Sequence, residues 1–149
     1  MVILDRLPTQ DQLQQMRMDV EQRCLMCETG LKFRDHLFAC CTYSRQIWTA
    51  ILCMCNIERN VCSWDMELQW LCAKLKGKSL LVFFLKLAWG SFVYHVWEEH
   101  NRRKFRSLSR DVAGLLDCIR KSIQLRVQNR SILMNDVNKK LCVSWGVPL

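Results

Sequence analysis

At 149 residues, half of them apolar, the chain has the size and composition to bury one domain's core. Six Trp and six Phe exclude wholesale disorder, and only two Pro and five Gly argue against a loop-rich all-β fold and for helices. The formal charge of +8 favours anionic partners such as phosphate backbones over cationic ones.

Taken in chain order, Thr9-Gln10-Asp11-Gln12 after Pro8 matches a capping box and predicts a short helix over Gln10 to Met18, with Leu13 and Met16 turned inward. Residues 19 to 34 carry Gly30 and mixed polarity and read as loop. From about Asp35 the pattern turns helical. A break near Thr42 starts a new helix, in which Ile47, Trp48, Ile51 and Leu52 recur at helical spacing. Asn56 to Val61 is a connector. Ser63 is placed to cap the next helix, with Trp64, Leu68, Leu71 and Leu75 on one face and Gly77 at its end.

Ser79 opens the longest helix, expected to reach about Arg103. It is apolar nearly all round to Trp97, which marks it as the central element. Lys86, Gly90, Ser91 and His95 interrupt that run, so it reads as a core helix and not as a membrane span. A last helix is expected from about Arg110 to Gln128, capped by Ser109, with Val112, Leu115, Leu116, Ile119, Ile123 and Val127 as its apolar stripe. Beyond Arg130 the pattern fades, and residues 131–149 read as a frayed tail.

The charge is unevenly spread. Between Asn101 and Arg130 stand nine bases, opposed only by Asp111 and Asp117. Arg102, Arg103, Lys104, Arg106, Arg120, Lys121 and Arg126 are the candidate contacts to an RNA or DNA backbone. A charge run is also what a merely solvated helix face looks like. Of the tryptophans, only Trp97, near Arg102 and Arg103, is placed for base stacking, and a core role fits it better.

Ten cysteines would suggest disulfides in a secreted chain. Residues 1 to 23 are polar where a leader's apolar segment would be needed, so the expectation is an intracellular, reducing setting. There, closely spaced cysteines read as metal ligands or small buried hydrophobes. Cys24 and Cys27 form C-x₂-C, which presents two thiolates from one turn; His36, Cys40 and Cys41 follow. Zinc takes four such donors in a closed tetrahedron when its role is structural. His36 and Cys40 are spaced i and i+4, on one helical face, whereas His36 and Cys41 need the helix to end or tighten between them. Spacing by itself therefore leans to Cys40. A redox role for Cys24 and Cys27 would need a βαβ setting, and no strand pattern surrounds them.

Several separated motifs then occur in order: Leu7-Pro8-Thr9-Gln10-Asp11-Gln12-Leu13, Cys24-Leu25-Met26-Cys27, Asp35-His36-Leu37-Phe38 and Cys41-Thr42-Tyr43-Ser44-Arg45-Gln46-Ile47-Trp48. Together they resemble the zinc-binding domain that follows reverse transcriptase in plant LINE-type retroelements. The block Tyr94 to Arg103 is similar to the "IW-x-ERN-x-R" segment often found after that domain. His100 stands where that pattern has Arg, and Lys32 and Phe33 stand where an acidic and a small hydroxyl residue are common.

The resemblance implies Cys24, Cys27, His36 and Cys41 as zinc ligands, with Cys40 as substitute for Cys41. It also implies a non-catalytic fragment of a retroelement polyprotein, because no acidic pair in a strand–turn–strand context is present for polymerase chemistry. The resulting expectation is an all-α protein: an irregular zinc-bound loop with a Cys24–Cys27 knuckle, packed on a helical bundle. Residues 1–60 would form the zinc-binding part and 61–130 a helical region with a basic last helix. Its partners would be an RNA or DNA backbone and the parent's reverse transcriptase core, with no membrane. The alternative is a structural or protein-interaction module that touches no nucleic acid.

Overall fold

The computed structural model describes residues 36–128 and 130–148. The expected helix Gln10–Met18, the loop 19–34 and the Cys24–Cys27 knuckle lie outside the described residues. Within these, a five-residue π-helical turn, His36–Cys40, leads directly into α1 (Thr42–Met54); α2 (Trp64–Lys74), α3 (Leu80–Phe105), α4 (Val112–Val127) and α5 (Asp136–Trp145) follow. There is no strand among the described residues, as an all-α reading requires.

The apolar spacing of α1 does what it predicts: Ile47, Trp48, Ile51 and Leu52 are all buried. They meet α3 and the π-turn in an aromatic cluster. The Trp48 ring lies 4.9 Å from Trp89 and 5.2 Å from Phe92, and Phe38 lies 5.6 Å from Trp64. Rings at these separations gain roughly 0.5–1.5 kcal/mol per pair beyond their area burial. Phe38, on the π-turn, and Trp64, at the start of α2, thereby tie the turn to the core.

In α2 the buried face is Trp64, Glu67 and Leu71, while Leu68 and Leu75 are only partly covered. The buried face thus includes a carboxylate, Glu67, in place of the expected Leu68 and Leu75. Glu67 is held by the Trp48 indole N–H at 3.0 Å, the Cys62 backbone N–H at 2.8 Å and the Arg59 guanidinium at 2.7 Å. Such a set satisfies a buried charge that would otherwise be costly. Ser63 occupies the N-cap position, but its hydroxyl makes no capping bond.

Ser79 does cap α3, its Oγ accepting from the Val82 N–H at 3.2 Å. Among the described residues α3 is the one helix long and apolar enough to cross a membrane. In this fold it packs along α4 and against α1 and α5. The cap of α4 is Asp111, not the expected Ser109: its carboxylate accepts from the Gly114 N–H at 2.8 Å. A full negative charge at a helix N-terminus interacts with the helix dipole as well as with the orphan N–H groups. The stripe Leu115, Ile119, Ile123 and Val127 is buried as its spacing implies.

The reading of residues 131–149 as a frayed tail is wrong for 136–145. Asn135 caps α5, its Oδ1 accepting from the Asn138 N–H at 2.8 Å, and Leu141, Cys142 and Trp145 are buried. Gly146 then ends the helix in the left-handed region at φ 70°, and the Val147 N–H reaches back to the Cys142 carbonyl at 2.8 Å. Trp145 is 0% exposed, with its ring 5.8 Å from Phe84. The core thus runs without interruption from Leu37 to Val147.

Candidate metal centre and basic surface

His36 and Cys41 bracket the π-turn. The Cys41 N–H donates to the His36 carbonyl at 2.6 Å, an i to i+5 bond. Closing a turn over five residues instead of four brings residue i+5 back over residue i, as i+4 comes back in an α-helix. The turn widens between the two residues, where the sequence called for it to end or tighten. Cys40 is the last residue of the same turn.

Cys41 is also the N-cap residue of α1, extended at φ −65° and ψ 130°, with no side-chain capping bond. It is wholly buried, and His36 is half-buried. Imidazole and thiol are both donor types that zinc accepts. The imidazole and thiol therefore suit zinc in donor chemistry and in register. Among the described residues no group of three or more His, Cys, Asp or Glu side chains could hold a metal. The other two expected donors, Cys24 and Cys27, lie outside the described residues.

The bases of 102–130 divide into two kinds. Glu99, 0% exposed, accepts from Arg103 Nε at 2.8 Å and from the Arg110 backbone N–H at 2.9 Å. Arg103 also donates to the Arg110 carbonyl at 2.7 Å and lies 4.7 Å over the Tyr43 ring. The Tyr43 hydroxyl donates to that same carbonyl at 3.0 Å. One buried carboxylate thus joins the end of α3 to the start of α4 and to α1. Burial, reinforced by the Glu99 charge, pushes the Tyr43 hydroxyl up to about 12.

Arg103 therefore serves the interior, with 17% of its side chain exposed, and Arg102 stands 3.9 Å from Glu99 on the other side. Arg120 reaches the Met54 sulfur at 3.5 Å. Arg106, Lys121 and Arg126 are exposed, Lys121 beside Asp117 at 2.9 Å. Lys104 is half-buried, 5.5 Å from the Phe105 ring.

Trp97 is partly buried and stacks on His100 at 5.6 Å, so it offers no open face like that of Tyr94, which is 59% exposed. His95 bonds back to the Ser91 carbonyl at 2.8 Å, as a boundary histidine does. Sequence reasoning missed the buried carboxylates Glu67 and Glu99. The only signal for Glu99 was a base four residues on, at Arg103, which is equally common on solvated helices.

These features define a helical fold in which His36 and Cys41 bracket one π-helical turn. Residues 1–48 match the model of a family described as zinc-binding in reverse transcriptase. The match takes in the π-turn and α1 as far as Trp48. No curated protein and no solved structure matches the chain.

Proposed function

We propose that the chain is a zinc-stabilised nucleic-acid-interaction module of a LINE-type retroelement reverse transcriptase, without catalysis of its own. Zinc would be held by Cys24, Cys27, His36 and Cys41. The observation that supports this set best is the i to i+5 turn between His36 and Cys41, inside the segment that matches the zinc-binding family. Bound there, zinc supplies structural cross-linking. It would fasten the N-terminal segment to the head of α1, whose aromatic side chains form the core. Structural zinc contributes an apparent binding energy of roughly 10–16 kcal/mol at neutral pH.

Metal analysis of the purified chain tests the site. One zinc per chain is expected, lost in Cys27→Ser and Cys41→Ser and retained in Cys40→Ser. Retention in Cys41→Ser with loss in Cys40→Ser would move the fourth ligand by one residue. The nucleic-acid part rests on the exposed bases Arg106, Lys121 and Arg126 among the seven candidates. Phosphate contacts release counterions, so log affinity should fall linearly with log salt. An affinity indifferent to salt would refute it.

A second reading, a protein-docking module, draws on the exposed Leu133, Val137 and Val143 around α5. Under that reading the chain purifies free of nucleic acid and binds a reverse transcriptase core instead.

A further inference from the structure

A groove of ≈ 560 Å3 runs between α3 and α4, lined by Lys86, Gly90, Ser91, Tyr94, His95 and Arg126 among others, and no carboxylate lines it. Lys86 also lines a second groove of ≈ 590 Å3, which continues past the start of α3 to Lys78 and Arg130, again with no acidic residue. Lys86, Gly90 and Tyr94 recur every fourth residue and are all exposed, forming one open lane along the helix.

Two details make this lane more than a solvated face. Gly90 sits in the middle of α3, where glycine is a poor helix former, yet an added Cβ would meet nothing within 4 Å. Packing within the fold does not require it; it keeps the groove floor low. Tyr94, beside it, exposes an aromatic face at the groove wall. Cations that follow a backbone, combined with an open aromatic ring, form the arrangement that holds a single strand, whose bases are free to stack.

We infer that this groove is the track for a single-stranded polynucleotide: Lys86 and Arg126 on its phosphates, Tyr94 under a base, and Arg130 and Lys78 extending the path. The inference rests on the nucleic-acid reading above; of that reading's exposed bases it keeps Arg126 and moves the path away from Arg106 and Lys121 to the α3/α4 groove.

Fluorescence anisotropy of the zinc-loaded full chain tests it, with labelled oligouridylate, oligothymidylate and a blunt duplex as probes. Single strands should bind more tightly than the duplex, and the preferred single strand identifies RNA or DNA as the source of the phosphates. The double variant Lys86→Gln/Arg126→Gln should lose at least about tenfold in affinity and flatten the salt slope by about 1.4, roughly 0.7 for each lost single-strand contact. Tyr94→Ala should lose about tenfold with the slope unchanged. Gly90→Leu should unfold at a higher temperature, because leucine is the better helix former, while binding more weakly because its side chain fills the floor. Lys139→Gln/Lys140→Gln, on exposed positions of α5, serves as the charge-matched control.

If the wild-type chain binds but the groove variants lose no more than the control, or if the duplex is preferred, the groove is not the track and the broader reading survives. If the wild-type chain binds no probe, both fall.

Discussion

Replacing Glu99 by Gln isolates the junction that joins α3, α4 and α1. The substitution keeps the size of the side chain and removes its charge. Both contacts, at 2.8 Å from Arg103 Nε and 2.9 Å from the Arg110 N–H, fall on Oε2, so a Gln amide oxygen can still accept them, but the ion pair with Arg103 is broken. Hydrogen bonds to charged groups contribute about 1.5–3 kcal/mol each, and breaking a buried ion pair costs about 3–5 kcal/mol. Arg103 keeps some access to water, so the lower part of that range applies, about 3 kcal/mol. For a chain of this size that lowers the melting temperature by roughly 6–12 °C.

Urea unfolding of Glu99→Gln, Arg103→Met and the double variant completes the cycle. Each single change leaves the other partner stranded, so the double variant should be more stable than the sum predicts, by about 2 kcal/mol. A cost below about 1 kcal/mol for Glu99→Gln, or additivity within about 0.5 kcal/mol, would show that the junction is not held by this pair.

Other consequences can be measured on the same material. Arg103→Gln should lower stability by about 2–3 kcal/mol while changing polynucleotide affinity less than Lys86→Gln does; the reverse order in paired melting and anisotropy data would contradict its interior role. Burial pushes Tyr43 up to about 12 and the Cys55 thiol up to about 11, the latter opposed by the Trp145 side chain. Both groups are neutral in the fold, so their stabilisation is complete below pH 9 for Cys55 and pH 10 for Tyr43, the ordinary values, and is lost as pH rises to 11 and 12. Stability should therefore fall across that window, by at most about 2–3 kcal/mol per group, with the melting temperature following it, and Tyr43→Phe should flatten the upper part of the curve. Trp145→Ala should cost about 3–5 kcal/mol by calorimetry, and a near-neutral result would mean that α5 does not share the core. Gly146→Ala should cost about 1–2 kcal/mol, since φ is 70° and the new Cβ would lie 2.9 Å from Gln124 Nε2.

What the sequence by itself determined was the local structure of residues 36–128. Apolar spacing marks the buried faces of α1 and α4, Ser79 marks the start of α3, and Asn56 to Val61 is the connector. Each of these follows from interactions within a few residues. The motifs likewise pointed to the zinc-binding family. The start and stop signals of α5 were also present, in Asn135, the spacing of Leu141 and Trp145, and Gly146. They were overlooked because polar residues between them dilute a ten-residue helix.

Only the tertiary structure decided which charges serve the interior. Glu67 and Glu99 are buried because donors from other segments converge on them, namely Trp48, Arg59 and the Cys62 N–H for one, and the Arg110 N–H for the other. The residues that interrupt the apolar run of α3 look like scattered exceptions in one dimension. In three, Lys86 and Gly90 line up with Tyr94 as one exposed lane at the groove beside α4, while Ser91 and His95 line the same groove half-buried. Periodicity records the angle at which a side chain leaves its own helix, whereas burial and charge pairing depend on what other helices bring to that angle.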